Sequence, residues 1–197
     1  MLRRTLFVVL MLAAQVAAAA DLDAAVWQRL QAGGQVVIMR HAATVPGKGD
    51  PANFTLDDCA TQRNLSESGR QDARNVGAAF RQHGVTVGVV LSSRWCRARD
   101  TAQLAFGRVG PDPMLDSSGN DDDAGRQRKV AGVRATIQRY TGGPNLVLVT
   151  HETNIRELTG QGLAQGEMLV VTPNADGAFD VVGRLSIQQS AGAAQSM

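Results

Sequence analysis

Apolar residues fall along this chain in two kinds of pattern. Short continuous runs sit between polar stretches at "QVVIM" (35–39), "VGVVLSS" (87–93), "NLVLVT" (145–150) and "EMLVVTP" (167–173). Such runs mark strands buried on both faces. Helix-spaced patterns lie between them. Residues 21–34 carry Ala25, Val26 and Leu30 and end in Gly33-Gly34. Residues 65–84 place Ala73, Val76, Ala79 and Phe80 on one face, with Ser66 as the cap and Gly84 as the stop. Further helices are expected over 94–107, 126–140 and 152–162. "FDVVGRLSI" (179–187) reads as a last strand, joined to the one before it by a turn at Asp176-Gly177. The polar tail from Gln188 is expected to fray.

Strands alternating with helices predict an α/β fold. The expected architecture has three layers, with a mainly parallel sheet, helices on both faces and an antiparallel edge formed by the last two strands. Two segments lack periodicity, 42–64 and 108–125. Loops of that length usually carry function.

Composition changes this picture at the N-terminus. Arg3 and Arg4, an apolar core from Leu6 to Ala14 and small residues at Ala18-Ala19-Ala20 form a secretory leader ending before Asp21. Its apolar run is shorter than a membrane span needs. A single domain is expected over 21–197, with no membrane association once the leader is cleaved. The chain has 20 Lys and Arg against 18 Asp and Glu, and Arg3 and Arg4 make up the whole excess. With aromatic residues at only 4% and no basic run, nothing suggests a nucleic-acid surface. In an exported chain the two cysteines, Cys59 and Cys96, are expected to pair. They match no metal-ligand spacing, so no metal or other cofactor is expected.

The chemistry lies at the strand ends. In open α/β sheets ligands bind outside the carboxyl edge. The first strand runs into Arg40 and His41, the second leads to Arg97 in the next helix, and the third ends at His151. Parallel strands deliver all four to one edge. A guanidinium fork matches phosphate oxygens, and a neutral imidazole can attack phosphorus. Together they suit phosphoryl transfer.

Four motifs in order carry a resemblance. They are Arg40-His41-Ala42-Ala43-Thr44; Leu65-Ser66-Glu67-Ser68-Gly69-Arg70-Gln71-Asp72-Ala73; Ser93 to Ala102 with Arg97-Ala98 and Thr101-Ala102 inside; and Val149-Thr150-His151. The chain resembles the histidine phosphatase superfamily, also called phosphoglycerate-mutase-like. The resemblance implies that His41 is the nucleophile that becomes phosphohistidine, and that Arg40, Arg97 and His151 bind phosphate oxygens. It also implies an acid that protonates the leaving group, either Glu152 or one from the segment holding Asp116 and Asp121-Asp122-Asp123. Glu152 is the choice made here, and the aspartate run is read as loop and helix cap. Ala42 replaces the motif glycine and would impede any positive φ there. Arg63 could reach a phosphate from the long loop but is read as a structural ion-pair residue, Arg94 and Arg99 as surface, His83 as a helix-end residue without function and Trp95 as core or pocket wall.

The expectation is a periplasmic or secreted, metal-independent phosphatase. Its substrate would be a phosphorylated small molecule or a cell-envelope phosphoglycan. A phosphomutase, a protein-phosphohistidine phosphatase and a non-catalytic phosphate-binding module are the alternatives. Residues 42–64 and 108–125 are expected to set specificity.

Overall fold

The computed structural model describes residues 23–47, 49–174 and 178–187. The leader, the turn at Asp176-Gly177 and the tail from Gln188 lie outside the described residues.

The elements follow the apolar pattern closely. Helix α1 (23–32) precedes β1 (Val36–Arg40), then come α2 (Glu67–Gln82), β2 (Val87–Ser92) and α3 (Cys96–Phe106). After them lie β3 (Gly110–Pro111), α4 (Asp123–Arg139), β4 (Asn145–Thr150), α5 (Glu152–Thr159), β5 (Met168–Pro173) and β6 (Phe179–Leu185). The sheet order is β3-β2-β4-β1-β5-β6. β1 and β2 both run parallel to β4, while β5 pairs antiparallel with β1 and β6 antiparallel with β5. The mainly parallel sheet and its antiparallel edge are therefore as expected. β3 is an addition. It is two residues long and contains Pro111, which is tolerated only at an edge.

Period-two alternation divides the core into two layers. Val37, Met39, Val147, Val149 and Val170 face one side and pack on α1, α2 and α3 through Leu30, Phe80 and Ala102. Val36, Ile38, Leu146, Leu148 and Val171 face the other side and pack on α4 and α5 through Ile137 and Ile155. β1, β4 and β5 are buried on both faces, which is why their sequences show no polar alternation; β2, expected to be buried likewise, is only partly covered and leaves Val89 exposed, because its neighbour β3 is two residues long.

Capping fixes the helix starts. The Ser66 hydroxyl accepts the Gly69 N–H at 3.0 Å. Asp122 accepts the Gly125 N–H at 2.7 Å, so the aspartate run does cap α4. Gly69 serves a second purpose. A Cβ there would lie 1.9 Å from the Ala43 carbonyl oxygen, and the Ser66 N–H donates to that same oxygen at 3.0 Å. The start of α2 is thus pressed onto the backbone two residues after His41. Gly→Ala in a helix normally stabilises by about 1 kcal/mol. Gly69→Ala is instead expected to cost about 1–3 kcal/mol, because the atoms it meets are backbone. Urea unfolding checks this, and a gain in stability would refute the close approach.

Candidate active site

Strand register builds the site. Arg40 pairs with Thr150 across β1 and β4, so His41 and His151 leave neighbouring strands side by side. Their ring centroids lie 5.3 Å apart. β2 lies on the other side of β4, and the Ser93 N–H donates to Val149 O at 3.0 Å. That places Arg97, second residue of α3, against the same edge. His41, Arg97 and His151 are all at most 5% exposed. The structure therefore brings together every residue proposed from the strand ends.

Hydrogen bonds settle the state of both histidines. His41 Nδ1 lies 2.9 Å from the Ala42 carbonyl. A carbonyl only accepts, so Nδ1 carries the proton and Nε2 keeps its lone pair. Burial pushes the His41 pKa down to about 3. The Ala42 bond opposes that shift, while Arg97, Arg40 and Arg63 add to it. At neutral pH the ring is uncharged, with its lone pair on Nε2. His151 Nδ1 lies 3.5 Å from Nη2 of Arg97, which can only donate. Its Nε2–H therefore donates to Ser93 Oγ at 2.8 Å, and Ser93 donates to Asp116 Oδ1 at 3.3 Å. Burial first, then the charges of His41, Arg97, Lys129 and Arg40, hold His151 well below its ordinary value. A dianionic phosphoryl group in the cavity would oppose those charges and favour imidazolium.

The acidic limit of stability follows from these shifts. In the unfolded chain both histidines take up protons near the ordinary value of 6.5. In the native protein His41 does so only near 3. Native stability is complete above pH 6.5 and is lost as pH falls toward 3. The slope is about 1.4 kcal/mol per pH unit for each histidine. Urea midpoints measured from pH 6.5 to 4.5 should fall, and His41→Gln should flatten the slope. A flat wild-type profile would contradict the buried neutral rings.

Three arginines face the cavity in a common manner. Nη1 of Arg40 donates to Glu152 Oε2 at 3.2 Å and to Leu163 O at 2.7 Å. Nη1 of Arg97 donates to Asp50 at 2.8 Å, and Nη1 of Arg63 to Gly47 O at 2.6 Å. In all three, Nε is buried without a partner. Buried donors are rarely left unmatched, and these three line one cavity, an arrangement that suits an acceptor such as an oxyanion. Arg63 was expected to form an ion pair; among the described residues it forms none, and it joins the site instead. It lies in a segment without periodicity, so no pattern in the sequence distinguishes it from a loop arginine.

The remaining expectations divide. Trp95 is a cavity wall, Arg99 is exposed, and His83 ends α2 with its ring stacked on Trp27. Arg94 is half-exposed as expected, yet it also lines the cavity and grips Asp116 through Nε at 2.7 Å and Nη2 at 2.6 Å. Glu152 lines the cavity, but its oxygens accept from Arg40, from Arg156 at 2.8 Å and from the Leu163 N–H at 3.1 Å. Its visible role is to brace Arg40. Ala42 is fully buried beside Leu65 and Ala73 and has no positive φ, so the missing glycine imposes no strain. Its N–H donates to Thr101 Oγ1 at 3.0 Å, and that hydroxyl donates to Arg97 O at 2.7 Å. The motif threonine thus ties the His41 segment to the Arg97 helix.

The cavity measures about 840 Å³, far more than a phosphoryl group fills. Its walls include Asp50, Pro51 and Phe54 from one of the two aperiodic segments and Met114, Ser117 and Asn120 from the other. Arg128 and Lys129 of α4 complete the far side, which the sequence did not reveal.

Comparison with known proteins bears on this arrangement. Residues 36–125 match the model of the histidine phosphatase superfamily, branch 1. No curated protein matches the chain. Among solved structures the chain is similar to the protein histidine phosphatase SixA complexed with tungstate. The two are 18% identical, covering 78% of this chain and 97% of that one, with a TM-score of 0.58. It is also similar to an Entamoeba histolytica phosphoserine phosphatase variant in complex with phosphoserine, at 16% identity, 78% and 98% coverage and a TM-score of 0.58. A mycobacterial glucosyl-3-phosphoglycerate phosphatase gives 16% identity, 76% and 97% coverage and a TM-score of 0.56. These likenesses establish the fold.

Proposed function

Residues 36–125 place this chain in the histidine phosphatase superfamily, and from that premise we propose that it is a metal-independent phosphomonoesterase working through phosphohistidine on His41. The observation that carries this reading is a neutral, buried His41, with Nε2 unprotonated, beside three arginines whose Nε groups are buried and unmatched.

The reaction runs in two displacements. The Nε2 lone pair of His41 forms a bond to phosphorus as the bond to the ester oxygen breaks, and that oxygen leaves with the electron pair. The charge on the three peripheral oxygens is met by Arg40, Arg97, Arg63 and His151, which needs no metal to balance it. Water then attacks phosphorus, the N–P bond breaks, and phosphate departs with His41 restored. The leaving oxygen also needs a proton. Glu152 is the proposed donor, and here its two oxygens accept from Arg40 and Arg156. A leaving group that departs without protonation, such as an aryl oxide, is therefore the right first substrate.

The leader reading and the Cys59–Cys96 bond support export to an oxidising compartment, periplasmic or secreted. There the substrate would be a phosphorylated small molecule or a cell-envelope phosphoglycan. The test is hydrolysis of an aryl phosphate in EDTA, with acid-labile phosphoprotein trapped during turnover. Turnover that requires added metal, or no phosphoprotein, would overturn the proposal. Two features favoured a purely binding role, Ala42 and the uncertain proton donor; the unstrained backbone at Ala42 removes the first, and the trapped phosphoprotein decides the second.

A further inference from the structure

Arg97 and Asp50 form an ion pair with side chains only 6% and 9% exposed. Two charges are seldom kept that dry unless their geometry is valuable. Nη1 of Arg97 donates to both oxygens of Asp50, at 2.8 and 3.1 Å. The same two oxygens accept the Arg63 N–H at 2.9 Å and the Trp95 indole N–H at 3.0 Å. Asp50 therefore joins a cavity-wall tryptophan, the backbone beside one phosphate-facing arginine and the guanidinium of another.

What Asp50 leaves unbound is the informative part. A guanidinium is planar, with its Nε–H and one Nη2–H pointing the same way and Nη1 on the opposite side. Asp50 takes Nη1. Among the described residues the Nε of Arg97 is buried without a partner, and Nη2 has the 3.5 Å contact to His151. The two-pronged edge suited to an oxyanion thus has no carboxylate on it among the described residues, and its Nη2 reaches His151. A carboxylate standing in for phosphate would be expected to take that edge itself. Glu152 treats Arg40 in the same way, holding Nη1 and leaving Nε.

We propose that Asp50 is a positioning residue of the phosphate site: it holds Nη1 of Arg97 so that the Nε–Nη2 edge meets the phosphoryl oxygens. This rests on the phosphate-site reading above. It predicts that Asp50 acts through Arg97 and not by touching substrate.

The test is calorimetric titration of the mature protein with inorganic phosphate, together with aryl phosphate kinetics. Asp50→Asn should raise the phosphate Kd by about 10-fold to 100-fold, the range in which loss of an outer partner weakens a ligand site. kcat/KM should fall in parallel. Asp50→Glu keeps the charge and is the control for folding; it should melt as wild type and bind phosphate with intermediate affinity. In an Arg97→Ala background, Asp50→Asn should add no further loss, since coupled residues are not additive. Wild-type affinity in Asp50→Asn or Asp50→Glu would overturn the inference, as would additive losses. Tighter phosphate binding in Asp50→Asn would overturn it by making Asp50 an internal competitor. Wild-type protein that binds phosphate without hydrolysing esters would refute the phosphatase reading alone. Protein that binds no phosphate would refute both.

Discussion

Replacing His41 with alanine is expected to lower aryl phosphate turnover by about 10⁴-fold to 10⁶-fold while phosphate binding stays within a few-fold of wild type. The two effects separate because different atoms produce them. In the proposed reaction His41 supplies the electron pair that attacks phosphorus, and no other described side chain in the cavity matches it. His151 has its Nε2–H committed to Ser93 and its Nδ1 facing Arg97. In the proposed site the oxyanion would be bound mainly by Arg40, Arg63 and Arg97, and their Nη1 braces on Glu152, Gly47 and Asp50 do not involve His41. Loss of a nucleophile in a site that keeps its binding groups typically leaves only the catalysis that binding provides. Steady-state rates and phosphate titration on the same preparation check both halves. Turnover within tenfold of wild type would mean water attacks the ester directly, and phosphohistidine would have to be abandoned. Lost phosphate binding would mean that the imidazole is a structural part of the anion site.

The strand ends were readable because physics leaves little choice there. A run such as Val36–Met39 must be buried on both faces, parallel neighbours must align, and the first polar residues beyond them must meet at one edge. Arg40, His41 and His151 follow from that reasoning, and Arg97 from its place in the first turn of the helix after β2. Asp50 and Arg63 do not. They lie in a segment whose shape depends on individual contacts: the Thr44–Leu65 bridge, the Asp58-capped turn at Cys59–Thr61, and Gln62 accepting the Cys96 N–H at 2.9 Å. None of these contacts has a sequence period. Glu152 shows a different limit. Its place after His151 put it on the cavity wall, but that position could not show that Arg40 and Arg156 already occupy its oxygens.

Reduction of Cys59–Cys96 is expected to cost roughly 4 kcal/mol of stability and to weaken phosphate binding as well. The bond spans a sequence separation of 37 residues, and closing a loop of that size removes this much chain entropy from the unfolded state. For a chain of this size each kcal/mol is worth about 2–4 °C in Tm, so melting should drop by about 8–16 °C. Cys59 is exposed, so a reductant can reach the bond, while Cys96 is buried at the start of the helix that carries Arg97. The segment it fastens holds Asp50 and Arg63, and both contribute to the anion site through Arg97 or beside it. Without the bond, that segment is held to α3 by Gln62, Asp50 and other non-covalent contacts. Phosphate affinity should therefore fall by about fivefold or more, the lower range of coupling between linked sites. The measurement is melting and phosphate titration of wild type with and without reductant, beside Cys59→Ser/Cys96→Ser, with free thiols counted by mass. Equal melting temperatures with both thiols free would remove the bond from the stability argument. A large drop in melting with unchanged phosphate affinity would show that hydrogen bonds alone hold Asp50 and Arg63 in place.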